Sequence, residues 1–149
     1  MIDGYNEMFF FEKYGGDMNF EFSDDQLVMK EEVRKLFEKE DSVKRNRNIL
    51  EGDENFDKDL WNKVVEMGLT AITIPEEHGG IGLGFLELCV VAEEMGRAIA
   101  PIPYSSSVYL ATTAIINSSV DDVKKEYLPK LAAGEMIGCL LYTSDAADE

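Results

Sequence analysis

Residues able to do chemistry are few in this chain and widely spread. The stretch Ile74–Phe85 carries four glycines in six residues, behind a proline, two acids and His78, the single histidine. A glycine-rich loop running into a helix is the form that phosphate-binding loops take. The spacing argues against that use here. Counted from Gly80, the last glycine position of G-x-G-x-x-G is Phe85; counted from Gly82 it is Glu87; no Gly-Lys-Ser/Thr follows. Glu76 and Glu77 also bring the wrong charge for a phosphate. The loop reads as a structural turn, since each glycine costs a helix about 1 kcal/mol.

The other reactive side chains do not assemble into a constellation either. His78 has no second histidine or cysteine near it in sequence, so no metal-ligand spacing forms. Cys89 and Cys139 are too few for a disulfide framework. Glu76/Glu77 and Glu93/Glu94 are sequence neighbours and point to different sides of any helix or strand, so neither is a matched acid–base pair. Glu93 and Glu94 read as part of a polar helix face. Tyr104, Ser105, Ser106 and Ser107 supply four consecutive hydroxyls that either line a cleft or cap a solvated helix start. No catalytic residue is assigned.

These residues must be positioned by helices. Ser23-Asp24-Asp25-Gln26 is a capping box, and Met29, Val33, Leu36 and Phe37 form the apolar stripe of a first helix ending near Asp41. Val43–Asn55 is polar and reads as a loop or a frayed extension. Asp57 caps a second helix through Leu60, Trp61, Val64, Val65 and Met67, stopped by Gly68. Trp61 is expected to anchor the core. Leu69–Ile74, short and stopped by Pro75, reads as an extended segment without sheet partners. A third helix, about Gly84–Ala98, carries Phe85, Leu88, Val91, Ala92 and Met95 on one face. Pro101 and Pro103 hold their neighbours extended. A fourth helix follows from Tyr104 to about Asn117, its small residues suited to close packing or a ligand-facing wall. Ser119 is expected to cap a fifth, with Val123, Tyr127 and Leu131 buried and Gly134 at its end. Met136-Ile137-Gly138 looks strand-like.

Composition narrows the class. The chain has 149 residues, 45% of them hydrophobic, enough for one domain with a core. A net charge of −16 argues against nucleic acid and anionic membranes as partners. No secretory signal and no apolar run of transmembrane length appear, so no membrane insertion is expected and the cytoplasm is the expected location.

The two ends look unlike the middle. Met1–Asp17 shows no helical period, and Tyr14-Gly15-Gly16-Asp17-Met18 can be encoded by a purine-rich ribosome-binding site ahead of a start codon. That predicts a non-native leader over residues 1–17, with Met18 as the native start. Residues 139–149 can be back-translated into a sequence resembling a transposon-end sequencing adapter, which predicts an adapter-derived tail beyond Gly138. The native domain is then expected over 18–138, as a fragment of a longer protein.

Met18–Gly138 resembles the N-terminal α-helical domain of the acyl-CoA dehydrogenase family. The residues carrying the resemblance are Phe22–Gln26, Leu60–Leu69, the Ile74–Phe85 loop, Glu93-Glu94-Met95-Gly96-Arg97 and Lys124–Glu135, in the family's order and spacing. Arg97–Tyr104, RAIAPIPY, resembles members acting on bulky or branched acyl groups. The resemblance implies an all-α domain of about five or six helices, to be followed by a β-domain and a C-terminal four-helix bundle. It also implies FAD held by those later domains, an acyl-CoA substrate, an electron-transfer partner and a homo- or hetero-oligomer. The catalytic base, a glutamate, would lie beyond this chain. What this stretch would supply is one wall of the acyl pocket, starting in Tyr104–Ser107. The fragment itself would be inactive and hold no flavin. The alternatives are a helical docking or assembly module without flavin, or another flavoenzyme on the same scaffold, an acyl-CoA oxidase or a flavin monooxygenase.

Overall fold

In a computed structural model, which describes residues 21–139, the chain folds into helices, and no strand forms among the described residues. The predicted leader (1–17) and nearly all of the predicted tail (140–149) lie outside the described residues. The first helix, α1 (Asp24–Lys39), begins as the sequence predicts. Ser23 Oγ accepts from the Gln26 amide at 3.3 Å, and Gln26 Oε1 accepts from the Ser23 amide at 2.9 Å. Val33 and Phe37 are buried, with Met29 and Leu36 packed beside them.

Val43–Asn55 departs from expectation, because most of it is helical: α2 spans Ser42–Glu51. Local sequence does not favour this helix; tertiary contacts do. Asp41 turns the chain with φ 46°, and its side chain accepts from the Lys44 amide. Arg45 then reaches Glu40, Asp57 and Asp59 at 2.7–2.9 Å, while Ser42 Oγ donates to the Ala98 carbonyl at 2.8 Å. The next helix, α3 (Lys58–Glu66), is capped by Asp57 at 2.9 Å and buries Leu60, Trp61 and Val64. Trp61 is the expected core anchor, its Nε1 donating to the Gly134 carbonyl.

Leu69–Ile74 is not extended. Leu69–Ala71 forms a 3₁₀ turn, Glu76–His78 a second one, and the glycine loop folds back over the first. The amides of Ile81, Leu83 and Gly82 donate to the carbonyls of Ala71, Ile72 and Ile74 at 2.8–3.0 Å, and Gly80 donates to Pro75. The loop thus satisfies backbone carbonyls that a sheet would otherwise pair. Gly80 is the position that requires glycine, since a Cβ there would meet the Ile74 carbonyl oxygen at 1.8 Å.

Helix α4 (Phe85–Ala98) runs beside α1 in the same direction. Contacts between them climb in register: Gln26 with Glu87, Lys30 with Glu93, Arg34 with Glu94, Glu38 with Arg97. Leu88, Val91 and Met95 are buried as predicted, but Phe85 at the first position is exposed. After Pro103 a π-helix (Ser105–Thr112) leads directly into a short α5 (Thr113–Ile116). Helix α6 (Asp121–Ala132) buries Leu128, Leu131 and Ala132 against Ala71 and Ile74 in a second core. Val120, not Ser119, occupies its cap position and has no side-chain oxygen to accept from the first turn; its own amide donates to the Ser118 hydroxyl. Met136–Gly138 is irregular, held by the Ser107 hydroxyl rather than by a partner strand. Among the described residues no helix is long and apolar enough to cross a membrane.

The loop geometry predicts a contrast between neighbouring glycines. Gly80→Ala is expected to destabilise the chain by about 3 kcal/mol or more through overlap with the Ile74 carbonyl. Gly79→Ala, where the Cβ meets nothing but φ is 80°, should cost only about 1 kcal/mol. Urea unfolding of the two variants, monitored by Trp61 fluorescence, tests the ranking.

Candidate functional site

A cavity of about 350 Å³ opens where the C-terminal half of α4 meets the start of the π-helix. Ala92, Met95, Gly96 and Ile99 form one side; Ile102, Tyr104, Ser105 and Tyr109 form the other. The backbone explains why space remains there. Ile99 turns out of α4 with φ 48°, and a Cβ on Gly96 would find nothing within 4 Å. Few polar groups reach this space, and none of the lining residues is ionised at neutral pH.

Of the four hydroxyl residues singled out by sequence, Tyr104 and Ser105 line the cavity, whereas Ser106 and Ser107 turn elsewhere. Tyr104 presents its ring but not a free hydroxyl, since Oη donates to the Leu69 carbonyl at 2.6 Å. Burial raises its phenol well above the ordinary value, with Tyr109 nearby adding to it. Tyr109 stands edge-on to it, ring centroids 5.3 Å apart at 80°. Burial, then Cys89, pushes the Tyr109 phenol up to about 12. Both rings therefore stay neutral. Ser105 is exposed at the mouth, Ser106 Oγ donates to the Pro103 carbonyl, and buried Ser107 accepts from the Gly138 amide.

Sequence reasoning missed Gly96, Ile99 and Tyr109. A glycine inside a helical stripe was the available signal, because it weakens a helix without filling space. The positive φ of Ile99 leaves no trace in sequence.

The back of α4 is clamped by charge. Glu94, read from sequence as part of a polar face, is instead fully buried. Packing of α4 along α1 turns it inward, where Arg34 Nη2 and Nε donate at 2.7 and 3.1 Å and Arg97 Nε at 2.7 Å. The Arg34 hydrogen bond first, then Arg97, holds its carboxyl down at about 2 against the opposing effect of burial. Because Glu94 points toward α1, Ala92, Met95 and Gly96 remain on the cavity side.

A second cavity, about 300 Å³, lies between α1 and the glycine loop, lined by Val28, Met29, Met67, Ile72, Ile81 and Leu83 with Asp25 and Glu32 at its edge. Neither cavity presents a lysine or arginine. The loop amides of Gly80–Leu83 are all bonded to carbonyls, so no nest of free N–H groups faces either space.

Residues 23–135 match the family model described as "Acyl-CoA dehydrogenase, N-terminal domain". The chain belongs to the acyl-CoA dehydrogenase family. Among curated relatives, the mitochondrial isovaleryl-CoA dehydrogenase of Arabidopsis thaliana is 36% identical over 80% of this chain and 30% of that protein. Among solved structures, the ChsE4–ChsE5 complex from Mycobacterium tuberculosis superposes with a TM-score of 0.73 at 25% identity, covering 80% of this chain and 33% of the matched one. An acyl-CoA dehydrogenase from Bacillus anthracis, solved in complex with FAD, has a TM-score of 0.67 at 26% identity, over 78% of this chain and 20% of that one. The chain thus spans about a third or less of the length of these relatives, and its all-α architecture is that of the family's N-terminal domain.

The clamp carries a pH prediction. A carboxyl lowered from 4.5 to about 2 on folding contributes stability that is whole above pH 4.5 and is lost as pH falls toward 2. Glu94→Gln is therefore expected to cost about 3 kcal/mol at pH 7, the worth of that lowering at about 1.4 kcal/mol per pH unit. The difference from wild type should shrink between pH 4.5 and 2 in acid-titrated urea melts.

Proposed function

We propose that this chain is the N-terminal helical part of an FAD-dependent acyl-CoA dehydrogenase, and that the cavity beside Tyr104 is one wall of its acyl pocket. The reaction would be α,β-dehydrogenation of an acyl-CoA thioester to the enoyl-CoA. The observation that carries the reading is the neutral, mostly apolar cavity at the α4–π-helix junction, with the Tyr104 hydroxyl turned away into the Leu69 carbonyl. Such a surface desolvates a hydrocarbon tail and leaves polar work to other groups. Tyr104 and Ser105 would meet the acyl group directly; Ser106 and Ser107 would act by fixing the turn that presents them. A compact, branched acyl group is favoured by the RAIAPIPY stretch that shapes the wall and by the similarity to an isovaleryl-CoA dehydrogenase.

Flavin would be held by other parts of the full-length enzyme. Supporting this, a dinucleotide diphosphate is commonly held by cationic side chains, and neither cavity is lined by a lysine or arginine. Exposed Phe85, Leu86 and Leu110 are apolar surface suited to contact with further domains or subunits. An electron-transfer partner, a cytoplasmic location and a homo- or hetero-oligomer complete the reading; for the last, the similar ChsE4–ChsE5 structure is a complex of two chains. No observation favours a flavin-free docking module over it.

Two measurements test this function. Titrating isovaleryl-pantetheine into methyl-labelled chain should shift the Ile99, Ile102 and Met95 resonances but leave Ile115 in the second core unmoved. Gly96→Leu, filling the open space beside α4, should reduce that binding by at least tenfold. Absence of any shift at Ile99 and Ile102 would remove the acyl wall. Separately, the purified 149-residue chain should be colourless and turn over no acyl-CoA; flavin absorbance that copurifies with it would contradict the assignment of FAD to other domains.

A further inference from the structure

The π-helix at the cavity mouth is unusual in running for eight residues, Ser105–Thr112, when most π geometry occurs as single turns at functional sites. Two contacts report its register, each between residues five apart. Thr112 Oγ1 donates to the Ser107 carbonyl at 2.9 Å, with both residues buried. Tyr104 and Tyr109 meet edge to face. In an α-helix, residues five apart lie about 140° apart around the axis, too far for the two rings to share a wall. The i→i+5 pattern brings them to one face. An α-helical threonine at 112 would instead direct its hydroxyl to the carbonyl four residues back, that of Val108. The wide turn is also tied down from outside, because the Ser107 hydroxyl accepts from the Gly138 amide at 3.2 Å.

We propose that the Thr112 hydroxyl is the positioning group that holds Ser105–Thr112 in the wide register and thereby sets both tyrosines on the cavity wall. Thr112 touches no acyl group itself. Its bond to Ser107 exists only in the five-residue register, so its loss releases the segment toward the ordinary α-helical repeat. Tyr109 then swings off the wall, and a pocket closed by two rings becomes open on one side. Thr112 in this way determines specificity for a compact acyl group over a straight one. The acyl part of this inference rests on the function proposed above; the register part rests only on the two five-residue contacts.

The test is NMR on the full 149-residue chain. In wild type, couplings across hydrogen bonds should link amides near Thr112 to carbonyls five residues back, and the Tyr104 and Tyr109 rings should show mutual NOEs. In Thr112→Val the couplings should move to four residues back, the ring NOEs should vanish, and isovaleryl-pantetheine should bind about tenfold more weakly while valeryl-pantetheine changes little. Thr112→Ser, which keeps the hydroxyl, should restore all three readouts. Four-back couplings in wild type, or ring NOEs that persist in Thr112→Val, overturn the proposal; the wild-type couplings decide it even where the valine variant does not fold. Loss of the ring NOEs in a chain that never binds either thioester supports the register role and overturns the acyl reading alone.

Discussion

The buried carboxylate of Glu94 is the contact on which the arrangement of the site depends. A lone charge in that position would carry a heavy desolvation cost, and the three guanidinium hydrogen bonds from Arg34 and Arg97 offset it. Those bonds have a direction. The two from Arg34 fix the rotation of α4 about its axis relative to α1, and the Gln26–Glu87 and Lys30–Glu93 contacts tie the same two helices together toward the N-terminus. Once Glu94 faces α1, the positions two residues on and two back face the other way. Those are Gly96 and Ala92, which line the cavity with Met95 beside them.

The glycine loop has the opposite character to the one its composition suggests. A run of glycines before a helix looks like a device for presenting amides to a ligand, yet here the amides of Gly80, Ile81, Gly82 and Leu83 close on carbonyls of the preceding turn. Their job is internal satisfaction. This keeps the irregular stretch between α3 and α4 compact and lets Ile72 and Ile74 enter the two cores with almost no exposure. The same stretch supplies the Leu69 carbonyl that takes the Tyr104 hydroxyl. The loop therefore acts on the site at one remove, by placing an acceptor that makes a tyrosine wall chemically quiet.

The cavity is neutral, with a buried phenol and a wide helical turn on its wall. None of its lining residues carries a charge at neutral pH, and burial keeps both tyrosines in their phenol form. The family membership gives that arrangement a context, and the π-helix would let the wall be tuned from the buried Thr112 position.

Much of the helical plan was legible in the sequence because it rests on local physics. Ser23 and Gln26 cap α1, Asp57 caps α3, and the stripes through Phe37, Trp61 and Met95 bury as their spacing requires. The family resemblance was legible for the same reason, in short motifs kept in order. Partner-dependent features were not. Residues 42–51 become helical because Arg45 finds three carboxylates supplied by other elements, Leu69–Ile74 coils because a later loop returns to its carbonyls, and Glu94 goes inward because two arginines arrive from different places. Tyr104 and Ser105 were named as candidates from their hydroxyls, but only the tertiary structure decided that one hydroxyl is occupied, that Tyr109 joins the wall, and that the turn between them is wide. Those outcomes depend on the relative placement of segments that local propensity does not encode.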